Sequence, residues 1–294
     1  MLTLERRRWL WAYTFLAIPL LFFLTIRIWP AVQAFQLSLY DYDPLDETHK
    51  FRGFGNYADL LHDKVFWQSL RNTFLYVLYG VPTGLVVSLV VALGLKRINR
   101  FRGILRFLYF LPYVTALVAV SWVWRWLFQS NGLLNSVLHS LHLPAQGFLN
   151  STSQSLPAVT AVTVWYGLGF QVIIFLAGLE AIPDVFYEAA SLDGASPWRR
   201  FRSITLPLLN PTIVFLTVIG VIQSLQLFTQ IRSLTTNGGP LGSTNSLVLY
   251  VYQLSFQTLP ARMGYGAAIT VVLFALILVI TVFQLTVLTR RYEY

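Results

Sequence analysis

Residues 182–207 read Ile182-Pro183-Asp184-Val185-Phe186-Tyr187-Glu188-Ala189-Ala190-Ser191-Leu192-Asp193-Gly194-Ala195-Ser196-Pro197-Trp198-Arg199-Arg200-Phe201-Arg202-Ser203-Ile204-Thr205-Leu206-Pro207, a polar interlude between two long apolar runs. Asp184, just after Pro183, is placed to cap a short helix, and Gly194 to end it in the left-handed conformation that most residues avoid. Val185, Ala189 and Leu192 recur at i, i+4 and i+7, which draws one apolar stripe along that helix. Ser196 followed by Pro197 marks a fresh start, with serine as cap and proline at the first helical position. The predicted unit is two short helices joined at Gly194. Small side chains at Ala189 and Ala190 leave the backbone open to close approach by another surface, while Glu188 and Asp193 offer carboxylates to basic partners. An amphipathic loop lying on a bilayer would share much of this pattern.

The flanking runs set the class. Of 294 residues, 56% are hydrophobic, 16% aromatic and only 11% charged, less than half the charged fraction of about 25% found in soluble domains. Apolar stretches cover roughly 10–32, 72–95, 105–128, 158–180, 208–231 and 264–289, each near the ~20 residues that a bilayer-crossing helix requires. The expectation is an all-α integral membrane protein, one transmembrane domain over 1–294 with six spans. The first run is too long for a cleaved signal peptide, despite the small-residue sequence Val32-Gln33-Ala34 at its end. Zero cysteines excludes thiol nucleophiles, disulfides and cysteine-ligated metals.

Charge placement then orients the chain. Arg6, Arg7 and Arg8 precede the first span, Lys96, Arg97, Arg100, Arg102 and Arg106 fill or border the second connection, Arg199, Arg200 and Arg202 lie in the fourth, and Arg290 and Arg291 follow the last span. These are thirteen of the 21 lysines and arginines. On the opposite face, 33–70 sets Lys50, Arg52 and Lys64 against Asp41, Asp43, Asp46, Glu47, Asp59 and Asp63, and 129–156 has no lysine or arginine. The positive-inside rule puts both termini and 181–207 in the cytoplasm. The net charge of +9 thus reports topology, and nucleic acid is not an expected partner.

Glu188-Ala189-Ala190, three residues, Gly194, nine residues, then Ile204-Thr205-Leu206-Pro207 resembles the EAA loop of permease subunits in binding-protein-dependent ABC importers. Gly53-Phe54-Gly55-Asn56-Tyr57, Asn72-Thr73, Leu234-Thr235-Thr236-Asn237-Gly238-Gly239-Pro240, Thr244 and Gly264-Tyr265-Gly266-Ala267-Ala268 extend the likeness to the sugar and glycerol-phosphate permeases of the maltose-transporter type, and to the first of their two permease subunits. The resemblance implies a type I ABC importer permease fold in the inner membrane of a prokaryote. Its partners would be a second permease, two ATP-binding subunits and an external or periplasmic solute-binding protein. ATP and magnesium would be used by those ATPases, with no cofactor and no catalytic or metal-binding residue in this chain. Glu188, Ala189, Ala190, Asp193 and Gly194 would carry the coupling to the ATPases.

Polar side chains are costly inside a bilayer and tend to mark a pathway. Span four offers Thr163, Trp165, Tyr166, Gly167 and Gln171; span five offers Gln223, Ser224, Gln226, Phe228, Thr229 and Gln230. By residue count, the family's substrate-contacting positions fall on Tyr166, Gly167 and Phe170, and on Val221, Ser224, Leu225 and Phe228. The expected substrate path is therefore Tyr166, Gly167, Phe170, Gln171, Ser224, Gln226 and Phe228. Amides and hydroxyls beside aromatic faces suit a sugar or related polyhydroxylated solute: an oligosaccharide, a glucosylated polyol or glycerol phosphate. The same glutamines would serve equally to tie helices together. An ion-coupled secondary transporter is the alternative class, though the only carboxylate in an expected span is Glu180, at the inner end.

Overall fold

The computed structural model describes residues 4–45, 49–98 and 100–288. Asp46, Glu47, Arg290 and Arg291, four of the charges that oriented the chain, lie outside them, as does the side chain of Arg6. The chain divides into two compact units, Met1–Asp63 with Val251–Phe274 and Lys64–Tyr250 with Ala275–Tyr294.

In the first unit, α1 (Leu4–Phe23), a π-helical turn (Leu24–Ile28) and α2 (Trp29–Leu37) run on as one helix. Its apolar reach, 31 residues from Arg7 to Leu37, exceeds the expected 10–32. The π turn falls just ahead of Pro30, whose missing N–H removes a rung from the hydrogen-bond ladder. None of its described side chains is buried, and Trp9, Trp11, Phe15 and Leu21 are each more than 60% exposed. Such a surface is one for lipid or another chain to cover. Next come β1 (Tyr40–Asp41), antiparallel to β2 (Lys50–Phe51), and α3 (Gly55–His62). The Gly53–Tyr57 motif is a clasp for this segment. Asn56, 1% exposed, donates from Nδ2 to the Ser38 and Tyr40 carbonyls at 2.9 Å, and Tyr57 shares a 2.7 Å hydroxyl hydrogen bond with Ser38.

The second unit begins with α4 (Lys64–Lys96), 33 residues long where 72–95 was expected. After it come α5 (Arg102–Val114), α6 (Leu117–Leu127), α7 (Leu133–Ser140), α8 (Ser155–Glu180), α9 (Asp184–Leu192), α10 (Pro197–Arg200), a π turn (Phe201–Thr205), α11 (Leu206–Leu208), α12 (Asn210–Leu225) and α13 (Thr229–Leu234). Two further helices, α14 (Leu247–Phe256) and α15 (Met263–Leu288), pass from one unit to the other. The sixth expected span is α15, except for Thr289, which is outside the described residues.

Helix α8 is the hub, packed on α4, α5 and α12. Water exclusion does not drive such packing in lipid, so close backbone approach must. At Gly169 an added Cβ would fall inside the contact distance of the Tyr109 carbonyl and the Phe110 Cα, which is how α5 lies directly against α8. At the Lys96 and Glu180 end, Leu95, Phe175, Leu179, Ile182, Leu209 and Leu216 form a buried cluster joining α4, α8 and α12.

Two expected spans are not single helices. The span at 105–128 is α5 and α6, bent by 92°. Thr115 and Ala116 are extended at the break, and the Tyr166 hydroxyl donates to the freed Tyr113 carbonyl at 3.0 Å, with the Thr115 carbonyl at 3.3 Å. The span at 208–231 enters through the helix Pro197–Leu208, bends by 63° at Leu209 and stops at Leu225, before the separate α13. Pro207 and Pro211 flank that bend, each without an N–H to donate up the ladder. Among the described residues, four helices are long and apolar enough to cross a membrane, or up to six spans when each bent pair counts as one.

Candidate functional site

Two arrangements in the second unit hold the residues singled out by sequence. The first is the loop after α8. Helix α9 begins at Asp184, but the cap position belongs to Pro183 and no side chain caps the helix. Asp184 instead places its charge in the first turn, where the helix dipole favours it. The C-terminus follows expectation: Gly194 has φ +71°, its N–H donates to the Ser191 carbonyl, and the Ala195 N–H reaches back to the Ala190 carbonyl at 2.9 Å. This is a Schellman ending, which needs the left-handed residue. Ser196 caps the next helix by accepting from the Arg199 N–H. That helix is not short, since it continues through the π turn to Leu208.

The loop is a strut rather than a tether. Arg200 donates to the Ser191 hydroxyl at 2.7 Å, Tyr187 and Thr205 share a 2.9 Å hydroxyl hydrogen bond, and the Lys96 ammonium, 5.2 Å from the centre of the Tyr187 ring, donates to the Leu179 carbonyl. Those bonds fasten α9 to the start of span five, to α4 and to the end of α8. Nearby, Arg102 and Arg106 both donate to Glu180, tying α5 to α8. The outer face of α9 is bare. Glu188, Ala189, Asp193 and Gly194 are exposed and Ala190 partly so, while Val185 and Leu192 of the apolar stripe are 61% and 90% exposed.

The second arrangement is a cavity of about 500 Å³ level with the middles of α4 and α8. Six of the seven expected path residues line it: Tyr166, Gly167, Gln171, Ser224, Gln226 and Phe228. Phe170 does not, and stacks on Tyr113 with centroids 5.3 Å apart. Val221 and Leu225 are buried in the packed side of α12, and Trp165 meets Trp124 edge-on. Gln223, Thr163, Thr229 and Gln230 also face the cavity. Gln223 and Gln226 are three residues apart, the spacing that puts two side chains on one helix face, so both can face it. Two of the expected groups are already engaged: the Tyr166 hydroxyl at the α5–α6 break, and Gln171 Oε1 as acceptor from Ser88 at 3.1 Å.

Sequence reasoning missed Tyr76, Tyr113 and Thr160 in this lining. Tyr76 had a signal, since it lies one helical turn from Asn72-Thr73. Asn72 donates to the Gly242 and Asn245 carbonyls, Thr73 accepts from the Leu247 N–H, and Tyr76 donates to the Thr244 carbonyl. The motifs at 72–73 and 238–244 are therefore two halves of one joint. Tyr113 had none, because only the break in span three brings it to the cavity. No charged residue lines it.

The family described as binding-protein-dependent transport system inner membrane component matches residues 8–294. The chain belongs to this family. It is 33% identical over 261 residues to the lactose transport system permease protein LacF of Rhizobium radiobacter, with 87% of each protein covered. It is likewise 33% identical over 280 residues to the sn-glycerol-3-phosphate transport system permease protein UgpA of Yersinia enterocolitica, covering 95% of this permease and 92% of that one. A chain of a bacterial alginate ABC transporter, solved in complex with an alginate pentasaccharide-bound periplasmic protein, matches with a TM-score of 0.82 at 26% identity, over 95% of this permease and 93% of its own length. The permease is an inner-membrane component of an ABC transporter, and an ion-coupled secondary transporter is set aside on that ground.

Proposed function

We propose that this permease forms half of the path for a sugar or related polyhydroxylated solute and that the cavity is where the solute is held in transit. The observation that carries this is the lining: three uncommitted glutamines, Gln223, Gln226 and Gln230, with Ser224, Thr163 and Thr229, beside the aromatic faces of Tyr113 and Phe228, and no charge. Amides and hydroxyls match the alternating donors and acceptors of sugar hydroxyls, and a volume of about 500 Å³ falls in the usual range of roughly 300–1,000 Å³ for small-molecule sites. An oligosaccharide or a glucosylated polyol fits better than glycerol phosphate, whose charge would meet no cation there. The relatives' solutes, lactose and glycerol phosphate, bracket that choice.

Residues 181–207 lie on the cytoplasmic side in this reading, with both termini. The exposed stripe of Val185 and Leu192, with Glu188, Ala189, Ala190, Asp193 and Gly194, docks into an ATP-binding subunit, which uses ATP and magnesium. Because α9 is fastened to α4, α8 and span five, its displacement moves those helices with it. A second permease completes the path, and an external binding protein delivers the solute.

The test is solute uptake by the assembled transporter carrying Gln223→Ala, Ser224→Ala or Gln226→Ala. Losing one hydrogen bond should cost about 0.5–1.5 kcal/mol, a several-fold rise in the half-saturation concentration. Unchanged uptake in all three places the path elsewhere.

A further inference from the structure

A second concavity, of about 560 Å³, opens between the Lys96 end of α4 and the helix Pro197–Leu208. One wall is apolar, with Val90, Leu93 and Phe201; the rim carries Arg97 and Arg200, and Trp198 stacks on Phe201 with ring centroids 5.5 Å apart. Val90 and Trp198 are 63% and 68% exposed, so nothing within the unit covers the groove. No carboxylate lines it. The nearby Glu180 is already shared by Arg102 and Arg106, and among the described residues neither Arg97 nor Arg200 makes an ion pair. Arg200 spends one N–H on Ser191, which holds the guanidinium in place and leaves its other donors.

The level of the groove decides what it takes. Lys96 and Glu180 end α4 and α8, and charged helix ends together with an exposed tryptophan mark the membrane–water boundary. Two guanidiniums at that boundary, above an apolar channel, match an amphiphile with an anionic phosphodiester head. Free phosphate would satisfy the arginines but leave the apolar wall bare. We propose that this groove binds one anionic phospholipid of the inner leaflet, with its phosphate on Arg97 and Arg200 and an acyl chain along Val90, Leu93 and Phe201. The site rests on the orientation proposed above, with 181–207 cytoplasmic. It adds to that reading a lipid seated against the strut, where it would stiffen the link between α4 and span five.

The experiment uses the complete transporter in phosphatidylcholine nanodiscs doped with an acyl-chain photoreactive analogue of either phosphatidylglycerol or phosphatidylcholine, followed by peptide mapping. Labelling of 90–97 and 197–205 should favour the phosphatidylglycerol probe by roughly thirtyfold, the effect expected of two basic residues beside an anionic head. The double variant Arg97→Gln with Arg200→Gln should abolish that preference, and Arg97→Lys with Arg200→Lys should keep it. Equal labelling by both probes, labelling indifferent to the glutamine pair, or no labelling because another subunit covers the groove would each overturn the proposal. Co-purification of the ATP-binding subunits, scored on the same sample, separates outcomes: an assembled complex with head-group-blind labelling refutes the lipid site alone.

Discussion

The coupling loop and the cavity are built by opposite means. The turns of the loop are set locally: Gly194, Ser196 and Pro197 act on neighbours within a few residues, and the outer face of the result stands exposed. The cavity depends on breaks. Helix α12 stops at Leu225, α5 turns away from α6 by 92°, and residues from α4, α5, α8, α12 and α13 then face one space. A loop specified locally tolerates change around it but not within it, whereas a cavity made by broken helices is vulnerable wherever a break is secured.

The sharpest way to break the contrast is Gly194→Pro. Proline is confined near φ −65°, and position 194 sits at +71°. The Schellman ending must open, and solute-stimulated ATP hydrolysis by the complex should fall by more than about tenfold, with the protein still inserting, since the strain of a forced backbone runs to about 1–3 kcal/mol and is confined to the loop. Wild-type stimulation would show that α9 does not transmit motion. Ala190→Trp tests the same face by bulk and should reduce co-purification of the ATP-binding subunits.

The next effect concerns the cavity's walls. Tyr166→Phe removes the hydroxyl donor at the α5–α6 break while keeping the ring. It should lower thermal stability by the ~1 kcal/mol of a typical hydrogen bond and reduce uptake rate as well as affinity. A pure affinity effect would make Tyr166 a solute contact instead of a brace. Weaker still is Gln171→Ala, because its Oε1 is engaged by Ser88, so its effect on half-saturation should be smaller than that of Gln223→Ala or Gln226→Ala.

Orientation is open to a direct check. In this cysteine-free chain, Leu241→Cys, at an 87% exposed position, should react with an impermeant thiol reagent in intact cells, and Ser191→Cys only after permeabilisation. The reverse pattern would remove the loop from the ATPase side.

The same contrast explains what sequence reading reached. Gly194 and the Ser196-Pro197 start were legible because their signals are stereochemical and short-range, and the six apolar stretches because bilayer thickness fixes their length. The breaks at Thr115 and Leu225 were not, since composition within an apolar run does not say where a ladder is interrupted. Polar residues of the lining such as Gln171, Gln223, Ser224 and Gln226 were nevertheless legible, because polar side chains in apolar helices stand out, while Gly167 and Phe228 came only with the family resemblance. Tyr113 and Tyr76 were missed, Tyr113 because it needs the break to reach the cavity and Tyr76 although it lies one helical turn from Asn72-Thr73. Phe170 packs on the Tyr113 ring and is not part of the lining.

The central claim is that solute passes the cavity, and Gln226→Cys tests it most directly. Position 226 lines the space, whereas Leu225 beside it is 1% exposed and packed away. In the reconstituted transporter, a small thiol reagent should block uptake through Gln226→Cys, with protection by saturating solute-loaded binding protein, and leave Leu225→Cys active. Full modification of Gln226→Cys with uptake unchanged would contradict the account.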